Sequence, residues 1–194
     1  EDVFSCVRIF RESDIDTPVV LMGYLNPFEH LGARVFSERA ASAGVDGVLI
    51  VDLPPEEAAD FHAALNKANL DQIFLIAPNS EPERIRRICE FASGFVYFVA
   101  VKGVTGEKAI DVDAISGRIS ETCAITTLPV GIGFGIKTPE SARNAAVLAD
   151  AVIVGSAVVE LIEQGGADPG TLEPSVRMRD GSNFLNQFNS YASK

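Results

Sequence analysis

GVLIVDLPPEEAADFHAALNKANLDQIFLI, residues 47–76, is the stretch that decides the fold. It opens on Gly47-Val48-Leu49-Ile50-Val51 and closes on Ile73-Phe74-Leu75-Ile76, two apolar runs with no polar interruption. Runs of that kind suit strands buried on both faces, as in a parallel sheet. Between them Ala58, Phe61, Leu65 and Ala68 recur at i, i+3, i+7 and i+10, one face of a helix. Pro55 followed by Glu56 and Glu57 puts acids in a first turn, where the helix dipole favours them. The stretch predicts one strand–helix–strand unit.

The same alternation runs outward in both directions. Val19-Val20-Leu21-Met22 lies upstream; Phe95-Val96-Tyr97-Phe98-Val99, Pro129-Val130-Gly131-Ile132 and Ala151-Val152-Ile153-Val154 lie downstream. Ile85, Ile88, Cys89 and Ala92 line one helical face, and Val112, Ile115, Ile119 and Cys123 line another. Ser80 with Glu83 reads as a capping box, and Thr138-Pro139 as N-cap and N1. No linker or charge run marks a boundary. Strict βα alternation predicts an α/β fold with a parallel sheet, doubly wound or closed into a (β/α)8 TIM barrel. Such a barrel typically takes about 250 residues. Six units therefore suggest a barrel short of about two, and the start at Glu1 inside a helical pattern places the shortfall N-terminally. The expectation is one TIM-barrel domain over 1–194, lacking its N-terminal βα units and holding the third to eighth.

Composition narrows the function. Apolar residues make up 47% of 194 and charged ones 22%, which suits a large core. Lys plus Arg is 16 against 27 for Asp plus Glu, a net charge of -11, so no nucleic-acid partner is expected. No apolar run nears the roughly 18 residues of a membrane helix, and no membrane partner is expected. Cys6, Cys89 and Cys123 are scattered without metal-type spacing. They read as reduced thiols packed as small apolar groups in a cytoplasmic protein.

In βα proteins the working loops follow the C-terminal strand ends. Three such loops are glycine-led: Lys102-Gly103-Val104-Thr105-Gly106, Gly133-Phe134-Gly135-Ile136 and Gly155-Ser156-Ala157-Val158. The last two lead into helical patterns, and backbone N–H groups at helix starts bind phosphate. The same glycines would also serve tight turns. Asp52 closes a strand and could act as an acid or base, or cap a turn before the prolines. Tyr24 and Tyr97 stand at or near strand ends. His30 and His62 do not, and Lys102 is too close to a glycine loop for a desolvated Schiff-base lysine. The residues thus predict a barrel with a phosphate cradle and no acid–base pair.

At these positions the chain resembles the α subunit of tryptophan synthase. The resemblance runs to about residue 165 and includes Leu21-Met22-Gly23-Tyr24-Leu25-Asn26-Pro27, Gly44-Val45-Asp46-Gly47, Val51-Asp52-Leu53-Pro54, Ala77-Pro78-Asn79 and the three glycine-led loops. It implies a lyase of tryptophan biosynthesis: retro-aldol cleavage of indole-3-glycerol phosphate to indole and glyceraldehyde 3-phosphate, without metal, Schiff base or cofactor. Indole would pass to a β subunit that carries pyridoxal phosphate, in an α2β2 assembly. By resemblance Gly106, Gly133, Phe134, Gly135, Gly155 and Ser156 contact the phosphate. Tyr97 and Tyr24 line the indole pocket, and Thr105 contacts the catalytic aspartate when the site closes. Asn26, Pro27 and Phe28, with Asp52, Leu53 and Pro54, face the β subunit.

The family's catalytic Glu and Asp would lie upstream of Glu1, so no catalytic residue is expected within 1–194. General acid–base groups contribute about 10²–10⁴-fold each, so these residues alone should be catalytically silent. They should also fold poorly, with two open sheet edges and an unfilled interior. Two rival readings remain: another phosphate-handling barrel enzyme, or a non-catalytic partner that binds and activates the β subunit.

Overall fold

The computed structural model describes residues 2–100, 112–133 and 135–165. Strands and helices alternate: α1 (Asp2–Arg11), β1 (Val20–Gly23), α2 (Leu25–Leu31), α3 (Ala33–Ala43), β2 (Gly47–Ile50), a 3-10 turn (Pro55–Glu57), α4 (Ala59–Lys67), β3 (Asp71–Ile76), α5 (Pro82–Phe91), β4 (Val96–Val99), α6 (Val112–Ile125), β5 (Val130–Gly133), α7 (Pro139–Ala146), β6 (Ala151–Ile153) and α8 (Ser156–Gly165). They fall into two compact units, Glu1–Leu75 with Glu83–Val96, and Ile76–Pro82 with Tyr97–Lys194.

In the first unit β1 pairs with β2, and β2 with β3, all parallel. Each β2 residue is buried, as a strand covered on both faces must be. The apolar face of α4 packs as the periodicity predicts: Ala58 and Leu65 are fully buried and Phe61 nearly so. Pro55, Glu56 and Glu57 form the separate 3-10 turn, and α4 starts at Ala59. Glu56 is exposed; its own backbone N–H and the Arg84 guanidinium hold its carboxyl below the usual range. An aromatic cluster of Phe4, Phe36 and Phe28 joins α1, α3 and α2, with centroids 5.8 and 4.7 Å apart.

In the second unit β5 pairs with β6 in parallel, Gly131 opposite Ala151 and Gly133 opposite Ile153. The Ala100 N–H, just past β4, donates to the Gly133 carbonyl at 2.9 Å. Thr138 caps α7 with Pro139 at N1, as expected, and Ser141 completes the reciprocal box.

One device sets register in both units. Asp46, just before β2, accepts the Val19 N–H at 2.7 Å and donates its own N–H to the Val19 carbonyl at 2.9 Å. Asp150, just before β6, does the same with Val130, at 2.8 and 3.0 Å. Each aspartate thus clips the start of its strand to the start of the preceding one. Asp46 also accepts from Arg11 Nη2 at 2.6 Å. Arg11 further donates to the Gly44 and Thr17 carbonyls at 2.9 and 2.8 Å, so one guanidinium joins α1, the approach to β1 and the α3–β2 turn.

Four expectations are corrected. β1 is not buried on both faces: Val20 is 39% and Met22 61% exposed, because β1 has only β2 beside it among the described strands. Ser80 does not cap α5, which starts at Pro82; its hydroxyl instead accepts the Ala77 N–H at 3.2 Å. On α6 Thr122, not Cys123, is buried beside Ile119, because the Thr122 hydroxyl meets its own hydrogen-bond demand at the Arg118 carbonyl, 2.9 Å away. The three cysteines are free thiols, but Cys6 and Cys123 are exposed rather than packed.

Replacing Asp46 with Ala strips a charged acceptor from both the Val19 N–H and Arg11. It should lower unfolding free energy by about 2–3 kcal/mol. Asp46→Asn, which keeps an oxygen, should lose less. The urea midpoints of the two variants and the parent check this.

Candidate functional site

Parallel pairing puts the C-terminal ends of β5 and β6 side by side, and the glycine-led loops leave from there. Gly133 ends β5 and is buried; Gly135, Gly155 and Ser156 are exposed. The three glycines answer to different constraints. A Cβ built on Gly133 would stand 2.6 Å from Tyr97 Cε2 and 2.8 Å from Cζ, so the tyrosine ring lies on the bare Cα. Gly135 has φ +75°, a left-handed backbone that a Cβ strains. Gly155 has neither restriction. A Cβ on Gly135 or Gly155 would meet no atom of the other described residues within 4 Å, its chain neighbours aside, so among those residues both stand open.

The Gly155 carbonyl accepts the N–H groups of Val158 and Val159 at 2.9 and 3.2 Å, which starts α8 at Ser156. The first amides of any helix lack intrahelical acceptors and carry the positive end of its dipole. Here they belong to the turn that begins with Ser156. Lys137 Nζ lies 3.8 Å from Glu160 Oε1 on α8, an exposed pair that offsets the nearest cation of the β5 loop. Tyr97 is 8% exposed, and burial pushes its phenol above the ordinary value. At neutral pH it is therefore an O–H donor with an apolar ring.

A second cluster lies in the first unit, at the ends of β1 and β2. The Val51 N–H donates to the Gly23 carbonyl at 2.9 Å, and the Leu25 N–H donates to Asp52 Oδ1 at 2.6 Å. Asp52 is thus a cap, though for a helix 27 residues upstream rather than for its own turn. Tyr24 stands between the two bonded groups and is 66% exposed. Asn26 and Pro27 are exposed and Pro54 half-buried. Phe28 and Leu53 are buried, at 7% and 6% exposure.

Thr105, Gly106, Phe134 and Lys102 lie outside the described residues. His62 packs on Phe91 and hydrogen-bonds Gln72 and Asn66, a structural setting. No group of three or more His, Cys, Asp or Glu that could hold a metal occurs among the described residues. Sequence reasoning missed Arg118, which donates from Nε to the Pro78 carbonyl at 2.9 Å and from Nη2 to the Ser80 carbonyl. It fixes the loop after β3; its only sequence signal is an arginine between Ile115 and Ile119.

The sequence profile described as "Tryptophan synthase alpha chain" matches residues 1–184. The chain belongs to the tryptophan synthase alpha chain family. It is 60% identical over 161 residues to the tryptophan synthase alpha chain of Alkalilimnicola ehrlichii, covering 83% of this chain and 59% of that one. The crystal structure of tryptophan synthase subunit alpha from Legionella pneumophila superposes with a TM-score of 0.76 at 41% identity, over 84% of this chain and 60% of that one. A Pyrococcus furiosus structure described as a tryptophan synthase a2b2 complex gives 0.76 at 35% identity, over 84% and 66%. The chain therefore spans about three-fifths of the length of the Alkalilimnicola relative. The fold is that of this family, and its six strand–helix units are units of a (β/α)8 TIM barrel.

Two alanine substitutions separate the roles of the glycines. Gly133→Ala should displace the Tyr97 ring and cost about 1–3 kcal/mol, the range of an overpacked core. Gly155→Ala should leave stability within about 0.5 kcal/mol, as at an open surface site. Thermal melts of both variants, with Tyr97 fluorescence against a Tyr97→Phe control, check this; the chain has no tryptophan to mask the signal.

Proposed function

We propose that the protein to which this chain belongs cleaves indole-3-glycerol phosphate to indole and glyceraldehyde 3-phosphate, a lyase step of tryptophan biosynthesis. One observation carries the reading: among the described residues Gly135 and Gly155 stand open at adjoining ends of β5 and β6, beside the first turn of α8. In this proposal the N–H groups of Gly133, Gly135, Gly155 and Ser156, with the Ser156 hydroxyl, hold the phosphate monoester; Phe134 and Gly106 complete the cradle. Tyr97 lies against the indole ring, and Tyr24 is a further substrate-binding residue. Thr105 serves closure of the site.

The reaction breaks the bond from indole C3 to the glycerol chain. One proton reaches C3 and one leaves a glycerol hydroxyl, so the step needs an acid and a base. Tyr97, protonated at neutral pH, positions the ring and is not that base. The proposal gives this chain no cofactor of its own and takes residues 1–194 as part of one domain. It makes a tryptophan synthase β subunit, which holds pyridoxal phosphate, the partner of the Asn26–Pro27 and Asp52–Pro54 surface, in the cytoplasm. The described residues contain no helix long and apolar enough to cross a membrane.

The test is indole release from indole-3-glycerol phosphate by the protein as its cell makes it. Indole should form without added metal or cofactor; none forming would overturn the reading. Ser156→Asp sets a carboxylate against the phosphate and should raise KM at least roughly tenfold, because like charges brought together cost several kcal/mol. Gly155→Ala should raise KM without loss of stability. Unchanged KM in both would count against the cradle.

A further inference from the structure

The Asp52 carboxylate is exposed, yet it makes the one side-chain contact that crosses from the end of β2 to the start of α2 among the hydrogen bonds of the described residues. At 2.6 Å the bond to the Leu25 N–H is short, as expected for a charged acceptor, and it sits where the helix dipole favours a negative charge. The α2 N-cap, Tyr24, makes no side-chain capping bond, so local sequence does not serve this helix start. Gly23, on the other side of Tyr24, accepts the Val51 N–H. Below, the Phe28 ring packs on the Gly23 Cα, where a Cβ would lie 3.0 Å from Phe28 Cε2. The peptide groups on both sides of Tyr24 are therefore held from β2, by Val51 through the backbone and by Asp52 through its side chain.

We infer that Asp52 is a positioning residue: by accepting the Leu25 N–H it fixes the backbone that carries Tyr24 and the exposed first turn with Asn26 and Pro27. It touches neither substrate nor reacting atoms. The inference rests on the proposed function for what Tyr24 does, and deepens it by tying the pocket side chain and the partner-facing turn to one carboxylate. Both respond together when that carboxylate is removed. The phosphate loops follow β5 and β6 rather than β2, and phosphate binding is left out of the coupling.

The experiment compares Asp52→Ala and Asp52→Asn with the parent, in the protein as its cell makes it. Amide hydrogen exchange at Leu25 reads the bond itself. Asp52→Ala should speed it by roughly tenfold or more, the loss expected for a bond to a charged group. Asp52→Asn keeps an oxygen in place and should restore most of the protection. In the indole assay Asp52→Ala should lower kcat by a similar factor, since displacing a positioning group costs rate steeply. Affinity for glycerol 3-phosphate, a probe of the phosphate end alone, should stay within about twofold of the parent. Unchanged Leu25 exchange in Asp52→Ala overturns the inference. So does an Asp52→Ala defect that Asp52→Asn leaves unrescued, or an equal loss of glycerol 3-phosphate affinity. Should the parent itself release no indole, the functional reading fails, while the Leu25 exchange still decides the role of Asp52.

Discussion

Register is the constraint on which this molecule depends. In a parallel pair every strand starts at one edge and ends at the other, so a clip at the start also levels the finish. Asp46 and Asp150 are those clips, each joined twice to a residue at the start of the preceding strand, Val19 just before β1 and Val130 at the head of β5. A slip of one residue would turn Val48 and Ile50, both buried, over to the other face of the sheet. A slip at the Asp150 clip would move Gly155 away from the level of Gly133. Stability and chemistry are thus separated by strand polarity: charge-assisted bonds hold the N-terminal edge, while glycines leave the C-terminal edge open.

The glycines of that open edge illustrate how one residue type meets three demands. Gly133 is needed for what lies above it, since only a bare Cα admits the Tyr97 ring. Gly135 is needed for its backbone, whose φ is positive. Gly155 is needed for neither, and its freedom from internal demands makes it the position at which the proposed ligand contact is tested. In sequence the three look alike. A run of glycines therefore overstates a binding site unless each is weighed against its own surroundings.

Much of the fold was legible in 194 letters because burial is periodic. Six apolar runs gave six strands, and the faces of α4 and α5 followed from spacing. The Thr138 cap was legible because its partners are three residues away. What escaped was polar and long-range. Asp52 reaches Leu25, Arg11 reaches Asp46, and Arg118 reaches Pro78 across 27, 35 and 40 positions, and no period marks such bonds. Thr122 replaced Cys123 in the core because a hydroxyl can bond back to its own helix, which a count of apolar residues does not register. Of the candidate site, the glycine loops and Tyr97 were legible as strand-end positions. The burial of Phe28 was not, since an aromatic cluster assembled from α1, α2 and α3 has no signature in any one of them.

The net charge of -11 bears on how an anionic substrate could bind here at all. A uniformly acidic surface repels a phosphate, but that repulsion is screened beyond about 8 Å at physiological salt. Inside that distance the local groups decide. Among the described residues of the β5–β6 edge they are the glycine backbones, the first amides of α8 and the Lys137–Glu160 pair, whose opposite charges offset each other. The proposed cradle is therefore dipolar rather than cationic. Dipoles act over a few ångströms and only along their own direction, so they hold a monoester that reaches into the loop and do not gather polyanions from solution. A lysine-built site on the same edge would bind phosphate more strongly and discriminate less. Main-chain donors in the proposed cradle would accept lower affinity per contact in return for selecting a ligand by its fit.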